Sequence, residues 1–141
     1  MNSTPELQVV AAVVISDGKV LCMQRGSSKY PYTAYHWEFP GGKVELGETP
    51  QQTLCRELME EMDYPVEVHE PIGEVHHQYP DFRIHLMFYR CTAATHKFRR
   101  KEHIDHRWLT PSEMLSLDWC AADYPILKIL EEKQEISDSR M

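Results

Sequence analysis

The segment at residues 41–62, GGKVELGETPQQTLCRELMEEM, restricts the fold and the chemistry of the chain more than any other stretch. Residues 49–52 (TPQQ) form a capping box with Thr49 as the N-cap and proline at the first helical position, so a helix is predicted from here to about Met62. One stripe of this helix is apolar and is expected to face the core. The stripe comprises Leu54, Cys55, Leu58, Met59 and Met62.

The opposite side of the same helix carries three carboxylates, Glu57, Glu60 and Glu61. Side chains at these spacings are neighbours, so their charges repel one another. The C-terminal end of a helix also carries a partial negative charge, which adds to the cost. Either the three glutamates form a solvated face, or they hold hard divalent cations such as Mg²⁺, which prefers carboxylate oxygens. The upstream pair Gly41-Gly42, which lets the backbone approach a ligand closely, and Glu48 at the mouth of the helix favour the cation.

Length and composition indicate one globular domain across all 141 residues, with a core at about residues 8–132 and a frayed polar tail at residues 133–141. The net charge of -7 counts against a protein that holds duplex nucleic acid by its phosphates. It does not exclude a phosphorylated substrate, because a bound cation can reverse the local sign. The N-terminus is polar and no apolar stretch approaches a membrane-spanning length, so no membrane contact is expected. The four cysteines have no paired spacing and are predicted to be buried, reduced thiols in a cytoplasmic protein.

Strand and helix signals alternate along the chain in the manner of a mixed α/β domain. A β-branched run at residues 8–15, the Asp17-Gly18 turn and a second run predict a β-hairpin. A loop follows at residues 26–36, then a short strand at residues 37–39 that Gly41-Gly42 ends. A second strand pair turns at Pro80-Asp81, and a charged loop at residues 95–106 precedes a short strand at residues 107–109. Further helices are predicted from the capping box at residues 110–113 and across residues 123–132.

The spacing of the charged residues resembles the Nudix box, GX5EX7REUXEEXGU. Gly42 is followed after five residues by Glu48, and after seven more by Arg56-Glu57-Leu58-Met59-Glu60-Glu61. One position departs from the pattern, because Asp63 stands where the box has glycine. That glycine closes the helix in a left-handed conformation, which Asp tolerates at modest cost, so the departure concerns the loop geometry and not the metal ligands.

The resemblance implies a Nudix fold, a mixed β-sheet sandwiched between helices, and Mg²⁺-dependent (or Mn²⁺-dependent) hydrolysis of a nucleoside diphosphate linked to another group. It implies that Glu57, Glu60 and Glu61, with the Gly41 carbonyl, bind the metal, and that Glu57 or Glu60 also orients or deprotonates water. Arg56 is expected to orient these carboxylates by pairing with Glu48 or Glu57. An ordinary surface ion pair is the alternative for Arg56.

Outside the box, the chain is similar to MutT-type Nudix members and to the CTP pyrophosphohydrolase group over about residues 9–130. In that resemblance Glu102 corresponds to a loop glutamate that serves as a further metal ligand or base; a solvated loop charge is the alternative. Arg25 and Phe39 correspond to positions near the bound nucleotide, although Phe39 could equally belong to the core.

Asp123 is the position that bears on the base, because MutT has Asn there and the CTP group has Asp. A carboxylate can accept a hydrogen bond from an exocyclic amino group, which favours cytosine. Asp123 is alternatively the N-cap of the last helix. The expected substrates are therefore CTP, dCTP and modified cytosine nucleotides, cleaved to the monophosphate and pyrophosphate. The competing hypotheses are an 8-oxo-dGTP diphosphatase, an ADP-ribose or dinucleoside polyphosphate hydrolase, a non-catalytic Nudix module that senses a nucleotide, and an interaction scaffold. The oligomeric state stays open.

Eight histidines raise the alternative of a zinc site. His76 and His77 should point to opposite faces of a strand, and no HxxxH or HExxH spacing occurs in the sequence. Sheet packing and surface polarity are therefore the expected roles of the histidines.

Overall fold

A computed structural model describes residues 6–139 of the chain, with side chains described through residue 133. The strands are β1 (Glu6–Ser16), β2 (Lys19–Gln24), β3 (Trp37–Glu38), β4 (Gly41–Lys43), β5 (Glu67–Gln78), β6 (Arg83–Thr92) and β7 (Asp105–Leu109). The helices are α1 (Pro50–Met62), α2 (Pro111–Met114) and α3 (Tyr124–Ser139), with a 3₁₀ turn at Ala121–Asp123.

The strands form one mixed sheet in the order β3-β2-β1-β6-β5, with β4 paired to β1 and β7 paired to β2. β1 and β6 run parallel, and the other pairings are antiparallel. Both hairpins form where their turns predict them. Asp17 (φ 52°) and Gly18 (φ 74°) both have positive φ, which matches the right-handed twist of the strands they join.

Helices cover both faces of the sheet, as expected for this fold class. Leu54, Leu58 and Met62 of α1 pack on one face, while Ile126, Leu127 and Leu130 of α3 pack on the other. This arrangement explains why the middle of β1, residues 10–14, is a continuous buried run: a strand covered on both faces has no solvent side to alternate with.

The inner face of α1 is narrower than its pattern predicts. Leu54, Leu58 and Met62 are buried together with Thr53. Met59 is instead 45% exposed and Cys55 is exposed. The prediction of four buried thiols is therefore wrong at Cys55, because its position lies on the rim of the stripe, where the sheet no longer covers the helix. Cys22, Cys91 and Cys120 are buried.

Several boundaries also differ from the predicted ones. Gly41-Gly42 does not end the sheet but forms β4, pairing with Val10 and Ala11 of β1. β7 begins at Asp105, because it pairs with β2 from Gln24 onward. The last helix begins at Tyr124 and continues to Ser139, past the predicted end at residue 132. Residues 140–141 of the predicted polar tail lie outside the described residues.

Candidate active site

The end of helix α1 carries Asp63 in the left-handed conformation (φ 50°, ψ 41°) that the box glycine would adopt. Its N–H and that of Tyr64 donate to the carbonyls of Met59 (3.0 Å) and Leu58 (3.2 Å), which closes the helix. Lys101 donates to the Asp63 carboxylate at 2.9 Å and lowers the pKa of Asp63. The departure from the pattern therefore leaves the helix end intact, and it ties the loop that carries Glu102 to α1.

The carboxylates of α1 do not share one environment. The Glu57 side chain is 16% exposed and lies against Gly42 of β4. A Cβ atom built on Gly42 would lie 2.4 Å from the Glu57 Cδ and 2.7 Å from both of its carboxylate oxygens. Gly42 is thus required because the Glu57 carboxylate occupies the space of a side chain.

Arg56 and Glu48 form a hydrogen-bond network that holds the Glu57 carboxylate. Arg56 donates to Glu48 through Nε (2.7 Å) and Nη2 (3.0 Å), and through Nη1 to Glu57 (2.9 Å) and Glu60 (3.2 Å). Hydrogen bonds from Arg56, the Glu45 N–H and Thr53 lower the pKa of Glu48 to about 2. This forked, bidentate geometry holds the carboxylates in fixed rotamers. The Glu60 side chain is 60% exposed and contacts Arg56.

Glu61 is the carboxylate of α1 that lines a cavity of about 710 Å³. Burial, a hydrogen bond with Glu57, and the nearby charges of Glu102, Glu57 and Glu38 raise the pKa of Glu61 to about 9. Glu61, Glu102 and Glu38 therefore line the cavity together, and Glu57 forms a hydrogen bond with Glu61. Such a set of hard oxygen donors with excess negative charge fits a divalent cation.

The remaining predicted residues lie around the same cavity. Gly41, Gly42, Glu102, Arg25, Phe39 and Asp123 all line it. Phe39 is 3% exposed and packs on Trp119 (4.9 Å between ring centroids) and Phe88 (5.8 Å), so it belongs to the core as well as to the cavity wall. The cavity thus joins the carboxylate cluster to an aromatic and apolar interior.

Asp123 is the most deeply buried acid of the cavity, at 4% exposure. It belongs to the 3₁₀ turn before α3, and its carboxylate accepts no hydrogen bond from residues 6–133, so it does not act as a side-chain cap for α3. Burial and the nearby Glu38 charge raise the pKa of Asp123 well above its usual range. A buried acid without a protein partner is available to a ligand.

Two residues of the site carry little signal in the sequence, Glu38 and His103. Glu38 accepts from Arg25 Nη1 (3.0 Å) and lies 2.9 Å from His103 Nε2. Despite burial, hydrogen bonds from His103 and Arg25 keep the pKa of Glu38 below its usual value. Arg25 Nε and His103 Nδ1 are buried without a hydrogen-bond partner within residues 6–133. In the sequence, the signal for Glu38 is its position between the aromatic residues Trp37 and Phe39 of a predicted strand.

The whole of this arrangement lies within residues 6–130, which match the NUDIX domain family. The chain belongs to the Nudix family. It is therefore a member of a family of nucleotide pyrophosphohydrolases, enzymes that typically act with a divalent metal ion. No helix of the described residues is long and apolar enough to cross a membrane.

Relatives with different named substrates share the same percentage identity with this chain. It is 34% identical to the CTP pyrophosphohydrolase of Escherichia coli, over 86% of this chain and 89% of that protein. It is also 34% identical to putative 8-oxo-dGTP diphosphatase 2 of Mycobacterium tuberculosis, over 82% of this chain and 81% of that protein. The fold is shared with the MutT protein of Methanosarcina mazei, with a TM-score of 0.83 at 19% identity over 95% of this chain and 99% of that one.

Proposed function

We propose that this Nudix enzyme cleaves nucleoside triphosphates to the monophosphate and pyrophosphate with Mg²⁺, and that it prefers CTP, dCTP and modified cytosine nucleotides. The observation that carries the proposal is Asp123, a buried acid that faces the cavity without a hydrogen-bond partner among residues 6–133. The relatives alone do not decide the base, since two of them with equal identity bear different substrate names.

In this proposal Glu57, Glu60, Glu61 and Glu102, with the Gly41 carbonyl, hold Mg²⁺, and Mn²⁺ is an alternative ion. The metal would neutralise charge on the polyphosphate and help to position the attacking water. Arg56 and Glu48 fix the rotamers of the metal-binding carboxylates, and Gly42 leaves room for Glu57. Glu57 and Glu60 are both candidates for the group that orients or deprotonates water.

The protonation of Asp123 bears on which base it pairs with. Burial and the nearby Glu38 charge raise the pKa of Asp123 and so favour its protonated form, which offers one donor and one acceptor. These complement the N3 acceptor and the N4 amino donor of cytosine. The Watson–Crick edge of 8-oxoguanine presents two neighbouring donors, which an ionised carboxylate would suit better. The adenine edge resembles that of cytosine in this respect, so adenine nucleotides belong among the competitors tested.

Two nitrogens that are unpartnered within the described residues support a contact of Arg25 and His103 with the nucleotide. Arg25 Nε and His103 Nδ1 lack partners within residues 6–133, and both residues line the cavity together with Glu38. We expect Arg25 to bind the nucleotide while Glu38 holds its guanidinium at 3.0 Å. Phe39 supplies an apolar contact at the floor of the cavity.

The test is turnover with Mg²⁺, followed as pyrophosphate release from CTP, dCTP, 5-methyl-dCTP, dATP and 8-oxo-dGTP, and as formation of nucleotide products from ADP-ribose and a dinucleoside polyphosphate. We expect kcat/KM to be highest for the cytidine nucleotides and to fall at least tenfold for them in Asp123→Ala. Asp118→Ala is the control, because Asp118 lies five residues away with its side chain 79% exposed. A higher kcat/KM for 8-oxo-dGTP would favour the sanitising diphosphatase, and no turnover of any substrate with metal bound would favour a sensing module.

A further inference from the structure

The three neighbouring strands β1, β6 and β5 bring Glu6, His85 and His76 together at one exposed corner of the sheet. His76 pairs directly across from His85, and His85 pairs with Gln8 of β1, two residues from Glu6. Each of the three residues can place a ligand atom within 4.8 Å of the other two. The sequence spacing could not show this group, because its two histidines come from different strands.

We propose that Glu6, His76 and His85 form a second metal site, separate from the active site, that takes Zn²⁺ or a similar late first-row divalent ion. Two imidazole nitrogens and one carboxylate are a ligand set that zinc uses, with a fourth position left for water or another carboxylate. The carboxylates around Glu61 offer only oxygen, which suits Mg²⁺. The two sites would therefore select different ions from the same solution.

The contacts of the corner come close to a coordination shell. His76 Nδ1 lies 3.1 Å from a Glu6 carboxylate oxygen, and His85 Nε2 lies 2.6 Å from Glu74. Bond lengths of about 2.0–2.2 Å place the donors of a tetrahedral zinc site roughly 3.3–3.5 Å apart, so the ligands must close by about 1.5 Å at most. The imidazole rings, now stacked at 4.1 Å and within 5° of parallel, must also tilt. The exposure of His76 (56%) and Glu74 (60%) leaves room for that movement.

The carboxylates at this corner attract a cation, and a nearby arginine and the protons on His85 compete with it. Glu6 and Glu74 bring two negative charges, and Arg83 lies 3.8 Å from Glu6. Both ring nitrogens of His85 face oxygen acceptors, Gln8 Oε1 at 2.7 Å and Glu74 Oε2 at 2.6 Å. An imidazolium would satisfy both acceptors, so a metal ion has to replace a proton on His85.

The experiment is a Zn²⁺ titration against a chromogenic chelator, with excess Mg²⁺ present to compete at the active-site carboxylates. We expect one equivalent to bind to the wild-type protein. His85→Gln and His76→Gln should each weaken this binding at least tenfold, the equivalent of about 1.4 kcal/mol. His77→Gln is the matched control, because His77 lies on the same strand but packs edge-on against Tyr79 at 4.5 Å. Arg83→Gln should strengthen binding, because the cation that competes for Glu6 is gone.

Co²⁺ supplies a second readout that does not depend on turnover. Bound at this corner, it should show visible absorption that His85→Gln abolishes and His77→Gln leaves unchanged. Circular dichroism of each variant confirms that the sheet is intact. Zn²⁺ affinity that is the same in wild type, His76→Gln and His85→Gln, or the absence of a binding equivalent in the presence of Mg²⁺, would overturn the proposal. Neither result bears on nucleotide hydrolysis, since the corner contributes no residue to the active site.

Discussion

Replacing Gly42 with alanine should separate catalysis from folding. The new Cβ would lie 2.4 Å from the Glu57 Cδ and 2.7 Å from its oxygens, whereas ordinary contact begins at 3.4 Å. The carboxylate must therefore retreat by about 0.7–1.0 Å. A displacement of this size in a positioned catalytic group costs on the order of 100-fold in kcat, or about 2.7 kcal/mol. Because only the end of a flexible side chain has to move, the melting temperature should change little.

The assay is steady-state pyrophosphate release with the best substrate, beside thermal unfolding followed by circular dichroism. Gly18→Ala is the matched control. Gly18 has φ +74° and nothing within 4 Å of a built Cβ, so alanine there should cost about 1 kcal/mol of stability through backbone strain alone and leave kcat unchanged. If Gly42→Ala retains kcat within about threefold of wild type while folded, the position of the Glu57 carboxylate does not limit the reaction and the reasoning fails.

Two further predictions concern protons and thiols. The pKa of Glu61 is raised to about 9 from an ordinary value near 4.5, so the folded, metal-free protein holds a proton that the unfolded chain releases. Its stability in EDTA should therefore fall as the pH rises from about 5 to 9, and Mg²⁺ binding at pH 7 should release a proton. Thermal melts of wild type and Glu61→Gln test this, since equal pH slopes would contradict it. For the thiols, a chromogenic disulfide reagent should label Cys55 rapidly in the folded protein. Burial raises the pKa of the Cys22 and Cys91 thiols to about 12, so these two thiols should react only on unfolding. Cys55→Ser should remove the fast phase of labelling.

The sequence predicted the fold class and the placement of the box residues because those signals are local. A capping box, an Asp-Gly turn and a fixed spacing of charges each depend on a few neighbouring residues. The same reasoning failed at Cys55, because its exposure depends on where the sheet stops covering α1. It also missed β4 and placed the start of β7 too late, because the partner strands determine both.

The sequence pattern could not predict contacts between residues that lie far apart in the chain. The pairing of Glu38 with His103 joins residues 65 positions apart. The Glu6, His76 and His85 corner likewise spans 70 positions between Glu6 and His76. Neither has a periodicity to reveal it, because register between strands is decided by the whole sheet. The burial of Asp123, and the absence of a hydrogen bond to its carboxylate from residues 6–133, could not be predicted from the sequence either.

The site residues come from different parts of the chain, and this has a consequence for how such enzymes diverge. The carboxylates that we assign to the metal come largely from one helix, whereas the residues that we assign to the nucleotide come from separate segments. Substitutions among the nucleotide-binding residues can therefore change the preferred nucleotide while hydrolysis is retained. A lineage built this way can acquire new substrates by few replacements, and overall sequence identity is then a poor guide to what any one member cleaves.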